Sequence, residues 1–321
     1  MNDPSPPPAP PRDDVSRPSG EPGNLRVLDW AGFRSAVSYT FDDALPSHVE
    51  HYGALRAAGA DVTFYVPSDR DASADAWRAI AADGNELGNH TASHPHGDLT
   101  GGSFGTPRES RRAELDACAS YLTEDLDQPG VSTMASPFGD RGWRDAARET
   151  GLLLNRGVGG GTVAPDGETD PYELPSYVAQ AGDTAETFDR LVDDARDAGE
   201  WLLFTFHSIA PTDEEGYAPV AVDELAASIE HAATAGDVWV DTVARIGSYW
   251  RAQRFFEGVT PTEVGDETVW EWECPDAFPD GHRLRVTVDG GTLEQNGRPL
   301  PWNGRGYYEV SLDAESLTLT P

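Results

Sequence analysis

Between residues 25 and 257 short apolar runs of strand character alternate with segments of helical period, and that alternation leaves few folds open. Strand-like runs stand at 35–40, 61–66, 86–89, 131–135, 152–155, 201–206 and 238–240. Helical spacing marks 46–58, 74–82, 108–126, 141–150, 184–198, 222–234 and 242–255. Repeated β-then-α units predict a parallel sheet with helices outside it, and about seven strands in this order suit a barrel, closed or incomplete. In such folds the carboxyl ends of the strands share one face, so residues that directly follow strands converge however far apart they lie in sequence. Asp42, Asp43, His90, Pro137 and His207 all hold such positions.

The flanks read differently. Residues 1–24 are dominated by Pro, Asp, Ser and Gly without an apolar period, which predicts a disordered or extended tether. The start has neither the basic stretch nor the apolar stretch of a secretory signal. Tethers of this composition often follow one, so a secreted or cell-surface place is the expectation. From 262 to 321 the period changes to two, as in Thr268-Val-Trp-Glu-Trp-Glu and Arg283-Leu-Arg-Val-Thr-Val, with turn signals at Asp289-Gly290-Gly291 and Asn296-Gly297. A small antiparallel, β-sandwich-like module is expected there. Its Trp270, Trp272, Trp302, Tyr307 and Tyr308 suit either packing or a flat platform for sugar rings.

The net charge of −33 arises from 56 acidic residues against 23 basic ones, every one of them Arg. Such a surface repels nucleic acid and anionic lipid, so neither is an expected partner. It fits a protein adapted to high salt, and also an acidic exported enzyme from a GC-rich genome. No run of 18 apolar residues occurs, so no membrane-spanning segment is predicted. Cys118 lies in a helical pattern and Cys274 in the β-rich region. Neither has a His or basic cluster beside it that would activate a thiol. Buried free thiols are expected, with one disulfide as the alternative.

Two short stretches carry the chemistry: Thr40-Phe41-Asp42-Asp43 and His90-Thr91-Ala92-Ser93-His94. One Asp and two His hold a divalent ion with coordination positions to spare, and the other Asp is left to handle a proton. Carboxylate and imidazole ligands suit zinc, with Co2+, Ni2+ and Mn2+ as further candidates. Such an ion polarises a carbonyl and activates water, which is what a hydrolase needs. If 90–94 forms a helical turn, both rings share one side. His207 ends the apolar run Trp201-Leu-Leu-Phe-Thr-Phe, and an imidazole, which ordinarily titrates near neutrality, suits an acid role. An Asp pair after a strand is by itself more often a turn or a helix cap. The joint occurrence with HxxxH in this strand context carries the metal reading. His96 is redirected by Pro95 and reads as a loop residue, His48 and His51 as surface or packing residues of the first helix, and His231 and His282 have no supporting pattern.

The TFDD and HTASH stretches, Pro137-Phe138-Gly139 and the strand ending in His207 together resemble the polysaccharide deacetylases of the NodB-homology group, carbohydrate esterase family four, over residues 30–255. The resemblance implies an α/β fold, a distorted (β/α) barrel of about seven parallel strands, here followed by the small C-terminal antiparallel β module. It implies a catalytic barrel over 25–257 that removes N- or O-linked acetyl groups from a polysaccharide or oligosaccharide with a divalent metal. An acetylated glycan is then the expected partner, and oligomeric state is left open. Position by position, Asp42 is similar to the catalytic base, Asp43, His90 and His94 to the metal ligands, and His207 to the general acid. Pro137, Phe138 and Gly139 fall where the family lines its substrate.

Two positions depart from the family pattern. Relatives often carry an Arg two residues before the Pro of the third motif, where it orients the catalytic Asp; Ala135 holds that place here. Many also carry an aromatic in the fourth motif beside the acid His, and none is evident around Asn155-Arg156-Gly157-Val158-Gly159. Arg156, just past a strand-like run, is expected to supply the missing guanidinium, which requires it to lie within about 6 Å of Asp42. The Gly-rich run 157–161 and the segment 208–220 are expected as rim loops. These departures keep two alternatives open: hydrolysis of a non-peptide C–N bond in a small molecule, and an inactive metal-binding barrel that binds carbohydrate.

Overall fold

The computed structural model describes residues 6–70, 73–212, 216–279 and 281–321, so 1–5 of the expected tether and 213–215 of the expected rim loop lie outside the described residues. The chain divides into two compact units, one formed by Ser35–Ile246 and the other by residues up to Arg34 together with Gly247–Pro321.

The larger unit is built on eight parallel strands: β1 Ser35–Asp42, β2 Thr63–Val66, β3 Glu86–Asn89, β4 Thr133–Ala135, β5 Leu154–Arg156, β6 Tyr177–Val178, β7 Trp201–Phe206 and β8 Val238–Val240. Seven lie in the order β5-β4-β3-β2-β1-β7-β6, and β8 pairs with β1. Strand β1 is the centre, with every residue buried. Along Ala36–Phe41 it pairs with β7; on its other edge it pairs first with β8 and then, from Thr40 on, with β2. Its sequence lacks strict alternation because both faces are covered. Beyond β5 the pairing becomes irregular. Asn155 N donates to Pro171 O and Gly157 N to Leu174 O, and the same chain segment then pairs as β6 with β7. The sheet thus curls into an incomplete barrel whose gap is bridged by one short irregular stretch.

Helices α1 Pro46–Ala57, α2 Ala74–Ala82, α3 Arg111–Ser120, α4 Trp143–Glu149, α5 Ala185–Ala198 and α6 Val222–Thr234 follow the strands, and α7 Val243–Glu257 contains the division between the units. Local chemistry sets their ends. Pro46 opens α1, where its missing N–H costs nothing. Ser110 Oγ accepts from Ala113 N at 3.1 Å to cap α3. Gly199, at φ 77°, ends α5 in the left-handed region. Leu55, Trp77, Phe188, Val192, Leu225 and Ile229 bury the helix faces against the sheet. Beneath them the rings of Tyr39, Phe41, Phe64, Phe204 and Phe206 stack at centroid distances of 5.1 to 6.2 Å. Each such side chain contributes about 1.5–3 kcal/mol by burial, which makes a stiff floor under the strand ends.

All seven strands read from the sequence occur. The eighth, Tyr177–Val178, is too short for periodicity to reveal. The helix expected over 108–126 is α-helical only from Arg111 to Ser120, and Tyr121–Asp125 widens into a π-type turn.

The smaller unit holds two antiparallel sheets. One has the order Thr262–Val264, Glu267–Glu271, Ser316–Thr320, Thr292–Gln295, Arg298–Pro299; in the other, Arg26–Val27 and Tyr308–Ser311 flank Arg283–Thr287. The Pro-rich N-terminal segment runs along this module. Arg285 donates to the carbonyls of Pro7, Pro8 and Ala31, Arg305 to that of Pro10, and Trp302 Nε1 to that of Val15. A proline-rich chain offers carbonyls but few N–H groups, so guanidinium and indole donors match it. Trp270, Tyr307 and Tyr308 are buried. Cys118 and Cys274 are free thiols. Among the described residues no helix is long and apolar enough to cross a membrane.

His282 in the smaller unit is 7% exposed, and burial pushes its pKa down to about 4. Its ring is therefore neutral in the fold and charges on unfolding below the ordinary value of 6.5. The unfolded chain binds the extra proton between pH 6.5 and 4, so stability falls as pH drops through that window, by up to about 3 kcal/mol. Denaturant unfolding at pH 7.5 and pH 4.5 should show His282→Phe losing less stability than the parent. Equal losses would contradict the assignment.

Candidate metal and acid–base site

The carboxyl ends of β1, β3, β4, β5 and β7 bring the sequence-selected residues to one face. Asp42 closes β1 and is 4% exposed. Both of its carboxylate oxygens accept from Arg156 Nη2, and Arg156, at the end of β5, is 1% exposed. Burial alone would raise the Asp42 pKa; the charges of Arg156, then His90 and His207, hold it down at about 2. The guanidinium also lies over the Tyr65 ring, 5.3 Å from its centroid. Arg156 pairs in register with Ala135 on the adjacent strand. Arg156 thus brings a guanidinium to Asp42 from the strand beside Ala135, at the same level of the sheet.

Asp43 turns away from β1 at φ 76°. Its Oδ1 lies 3.6 Å from His90 Nε2 and 3.4 Å from His94 Nε2, and it has no hydrogen-bond partner among the described residues. His90 Nδ1 donates to Ala135 O at 2.9 Å, which leaves Nε2 as the bare nitrogen facing Asp43. His94 Nδ1 lies 3.1 Å from Ser103 Oγ. Burial pushes both histidines down to about 4, so both rings are neutral and offer lone pairs near neutral pH. Burial pushes the Asp43 carboxyl up against the lowering influence of His90, and the Asp42 charge beside it adds to the rise. One ligand atom from each of the three residues falls within 4.8 Å of the others. Donors so spaced fit a single divalent ion at about 2.0–2.2 Å from each, and the orphaned Asp43 oxygen is the atom such an ion would satisfy.

Residues 90–94 do not form the expected helical turn. Thr91 and His94 sit at φ 64° and 54°, sparsely populated conformations for such side chains. The loop is held instead by Glu114, fully buried on α3. Ala92 N and Ser93 N donate to Glu114 Oε2, and Ser93 Oγ and Arg108 N to Oε1, all at 2.8 Å. Thr91 N also donates to Asn89 Oδ1 at 2.8 Å and His94 N to Thr91 Oγ1 at 3.0 Å. Nothing in the spacing of the sequence marked Glu114; only the folded loop shows what it does.

His207 follows β7, and its Nε2 lies 4.0 Å from Asp42 Oδ2 on a side chain 18% exposed. Its carbonyl accepts from His48 Nε2 at 2.6 Å. His48 is buried under Phe41, Phe64 and Trp77, and burial pushes it down to about 4. It is a packing residue that also holds the backbone of His207. Pro137, Phe138 and Gly139 form one tight turn after β4. Pro137 is buried; the Phe138 ring lies edge-on to His94 at 4.6 Å and stacks on His96 at 4.0 Å. Gly139, at φ 69°, passes so near Val158 that a Cβ would clash with it. His96 stands outside the three-residue group and pairs with Asp140 Oδ2 at 2.9 Å. Tyr217, which the sequence did not single out, meets the His207 ring edge-on at 4.9 Å.

Residues 33–153 match the family model described as polysaccharide deacetylase. The matched stretch contains Asp42, Asp43, His90, His94 and Pro137 to Gly139, and it ends before Arg156 and His207. Among solved structures, a Mycobacterium smegmatis protein assigned as a polysaccharide deacetylase is similar at a TM-score of 0.50 and 20% identity, covering 75% of this chain and 96% of that one. A family 4 carbohydrate esterase from Streptomyces lividans, in complex with acetate, gives a TM-score of 0.44 and 17% identity over 65% of this chain and 93% of its own. A family 4 acetyl xylan esterase from Clostridium thermocellum, in complex with a cobalt ion, gives 0.44 and 16% over 66% and 89%.

If Glu114 holds the loop between the two histidines, removing one of its acceptor oxygens loosens the cage without touching a ligand. Calorimetric titration with Zn2+ or Co2+ should show Glu114→Gln binding at least about tenfold more weakly than the parent, with its circular dichroism unchanged. Equal affinity would rule that role out.

Proposed function

We propose, on the match of residues 33–153 to the polysaccharide deacetylase model, that the chain hydrolyses N- or O-linked acetyl groups on a polysaccharide or oligosaccharide, with a divalent cation as its cofactor. The supporting observation is the buried, ionised Asp42 standing between a three-donor cage on one side and His207 on the other.

A cation held by Asp43 Oδ1, His90 Nε2 and His94 Nε2 would supply the Lewis acid that polarises the acetyl carbonyl. The remaining steps fall to the chain's own groups. Asp42, kept charged by Arg156, takes a proton from the attacking water as the new C–O bond forms. His207 gives a proton to the leaving oxygen or nitrogen as the old bond breaks, and the proton on Asp42 restores it. Acetate and a free hydroxyl or amine leave, with one proton released to solvent as the acid ionises. Arg156 fixes which way the Asp42 oxygens point, and its burial excludes water from the pair.

An acetate-release assay on a panel of acetylated glycans tests the reading. The metal-loaded protein should release acetate from at least one member, lose that activity to a chelator and regain it with Zn2+. Asp42→Asn and His207→Ala should each lower kcat by about 10²–10⁴-fold while still binding metal, whereas His90→Ala should lose the metal. No release from any glycan by metal-loaded protein would overturn the proposal.

The register of Ala135 with Arg156 allows a rescue experiment. Arg156→Ala should lower kcat by at least about 10²-fold through loss of the Asp42 partner. Adding Ala135→Arg should recover at least about tenfold of it. A double variant no better than the single one would mean that the guanidinium acts by something other than its contact with Asp42.

A further inference from the structure

Among the described residues, the large apolar side chains left exposed in the larger unit are Phe138, Val158 and Tyr217, at 51%, 43% and 58%. They are not scattered. Phe138 touches His94, Val158 lies against Gly139, and Tyr217 touches His207. Apolar surface collected around one polar site is a usual mark of ligand contact.

Tyr217 is the one of these whose placement is most elaborately built. Ser208 N donates to Tyr217 O at 3.3 Å, and Val220 N donates to Ser208 O at 3.1 Å. Ile209–Ala210 pairs in parallel with Val220–Ala221. Gly216 runs so close to Ser208 that a Cβ there would collide with Ser208 Oγ. The chain on both sides of Tyr217 is thereby fastened to the backbone that directly follows His207. The ring stands edge-on to the imidazole, at an interplanar angle of 78°, with more than half of its surface still open. The contact with the histidine thus leaves most of Tyr217 open to a ligand.

We propose that Tyr217 is a specificity-determining residue that stacks on the pyranose ring whose hydroxyl or amine receives the His207 proton. The electron-rich face of the phenol attracts the weakly positive C–H bonds that line one face of a pyranose. The contact fixes the sugar on the leaving-group side of the scissile bond, where His207 stands, and leaves the acetyl group directed at the Asp42 side. Small acetyl compounds without a ring gain nothing from it, so the contact selects for glycans. The proposal rests on the deacetylase reading above.

The test uses the metal-loaded full chain and the acetylated oligosaccharide it turns over best, together with calorimetric binding of the deacetylated product. Ring stacking of this kind acts on ground state and transition state alike, so Tyr217→Ala should raise KM and product Kd about five- to tenfold with kcat changed less than about twofold, and Tyr217→Phe and Tyr217→Trp should stay within about twofold of the parent. KM and product Kd unaltered in Tyr217→Ala, or a loss confined to kcat, would overturn the proposal. Tyr217→Phe failing as badly as Tyr217→Ala would also overturn it, because the hydroxyl and not the ring would then be what matters. Silence of the parent protein on every glycan strikes the deacetylase reading instead, so the two failures are distinguishable.

Discussion

Burial of the Asp42 carboxylate at the end of β1 would by itself push its pKa up and leave a protonated, inert acid; the Arg156 guanidinium reverses this and holds it at about 2. Neither partner has an alternative in solvent, since both are almost wholly covered. A buried charge deprived of its partner costs several kcal/mol, so each residue makes the other tolerable. The pair is also a statement about topology. Asp42 is on β1 and Arg156 on β5, with β2, β3 and β4 between them in the sheet order. In a flat sheet those strands stand nearly 20 Å apart at about 4.8 Å per step. Only the curl of the sheet brings them into contact, over an aromatic stack packed beneath β1, β2 and β7.

Around this pair the backbone adopts conformations that a regular element would not. Asp43, Thr91, His94 and Phe138 all have φ between 54° and 76°. Asp43, His94 and Phe138 meet at the site, while Thr91 Oγ1 accepts from His94 N within the loop. Such strain persists only where neighbours hold it, and here the neighbours are Glu114 for the histidine loop and the Pro137 turn for Phe138. The result is a set of nitrogen and oxygen donors fixed before any ligand arrives, next to a carboxylate that is already ionised. Preorganisation of this kind lowers the reorganisation needed at the moment of reaction.

Much of this was legible in the chain. Alternating β and α patterns gave the parallel sheet, and the positions directly after strands gave Asp42, Asp43, His90 and His207, because strand ends meet on one face whatever the loops between them do. Arg156 was legible by a different route: the lack of a guanidinium at Ala135 posed a question that a nearby arginine answered. Glu114 and Tyr217 were not legible, because their roles depend on where loops fold back, which no period of two or 3.6 records. The histidine loop departs from a helical turn for the same reason. Four hydrogen bonds to one buried carboxylate override the local preference of His90-Thr91-Ala92-Ser93-His94. At the other end, the Pro-rich stretch looked free of structure because it has no apolar period. Its carbonyls are nevertheless matched by Arg285, Arg305 and Trp302, far away in sequence.

The proposed chemistry requires one cation beside the Asp42–Arg156 pair, and anomalous diffraction from crystals grown with Co2+ or Zn2+ tests this most directly. A single strong peak about 2.0–2.2 Å from Asp43 Oδ1, His90 Nε2 and His94 Nε2 is the predicted result, with Arg156 still on Asp42. Ions found only at the acidic surface, or a peak at this point that replaces the Arg156 contact with Asp42, would contradict it.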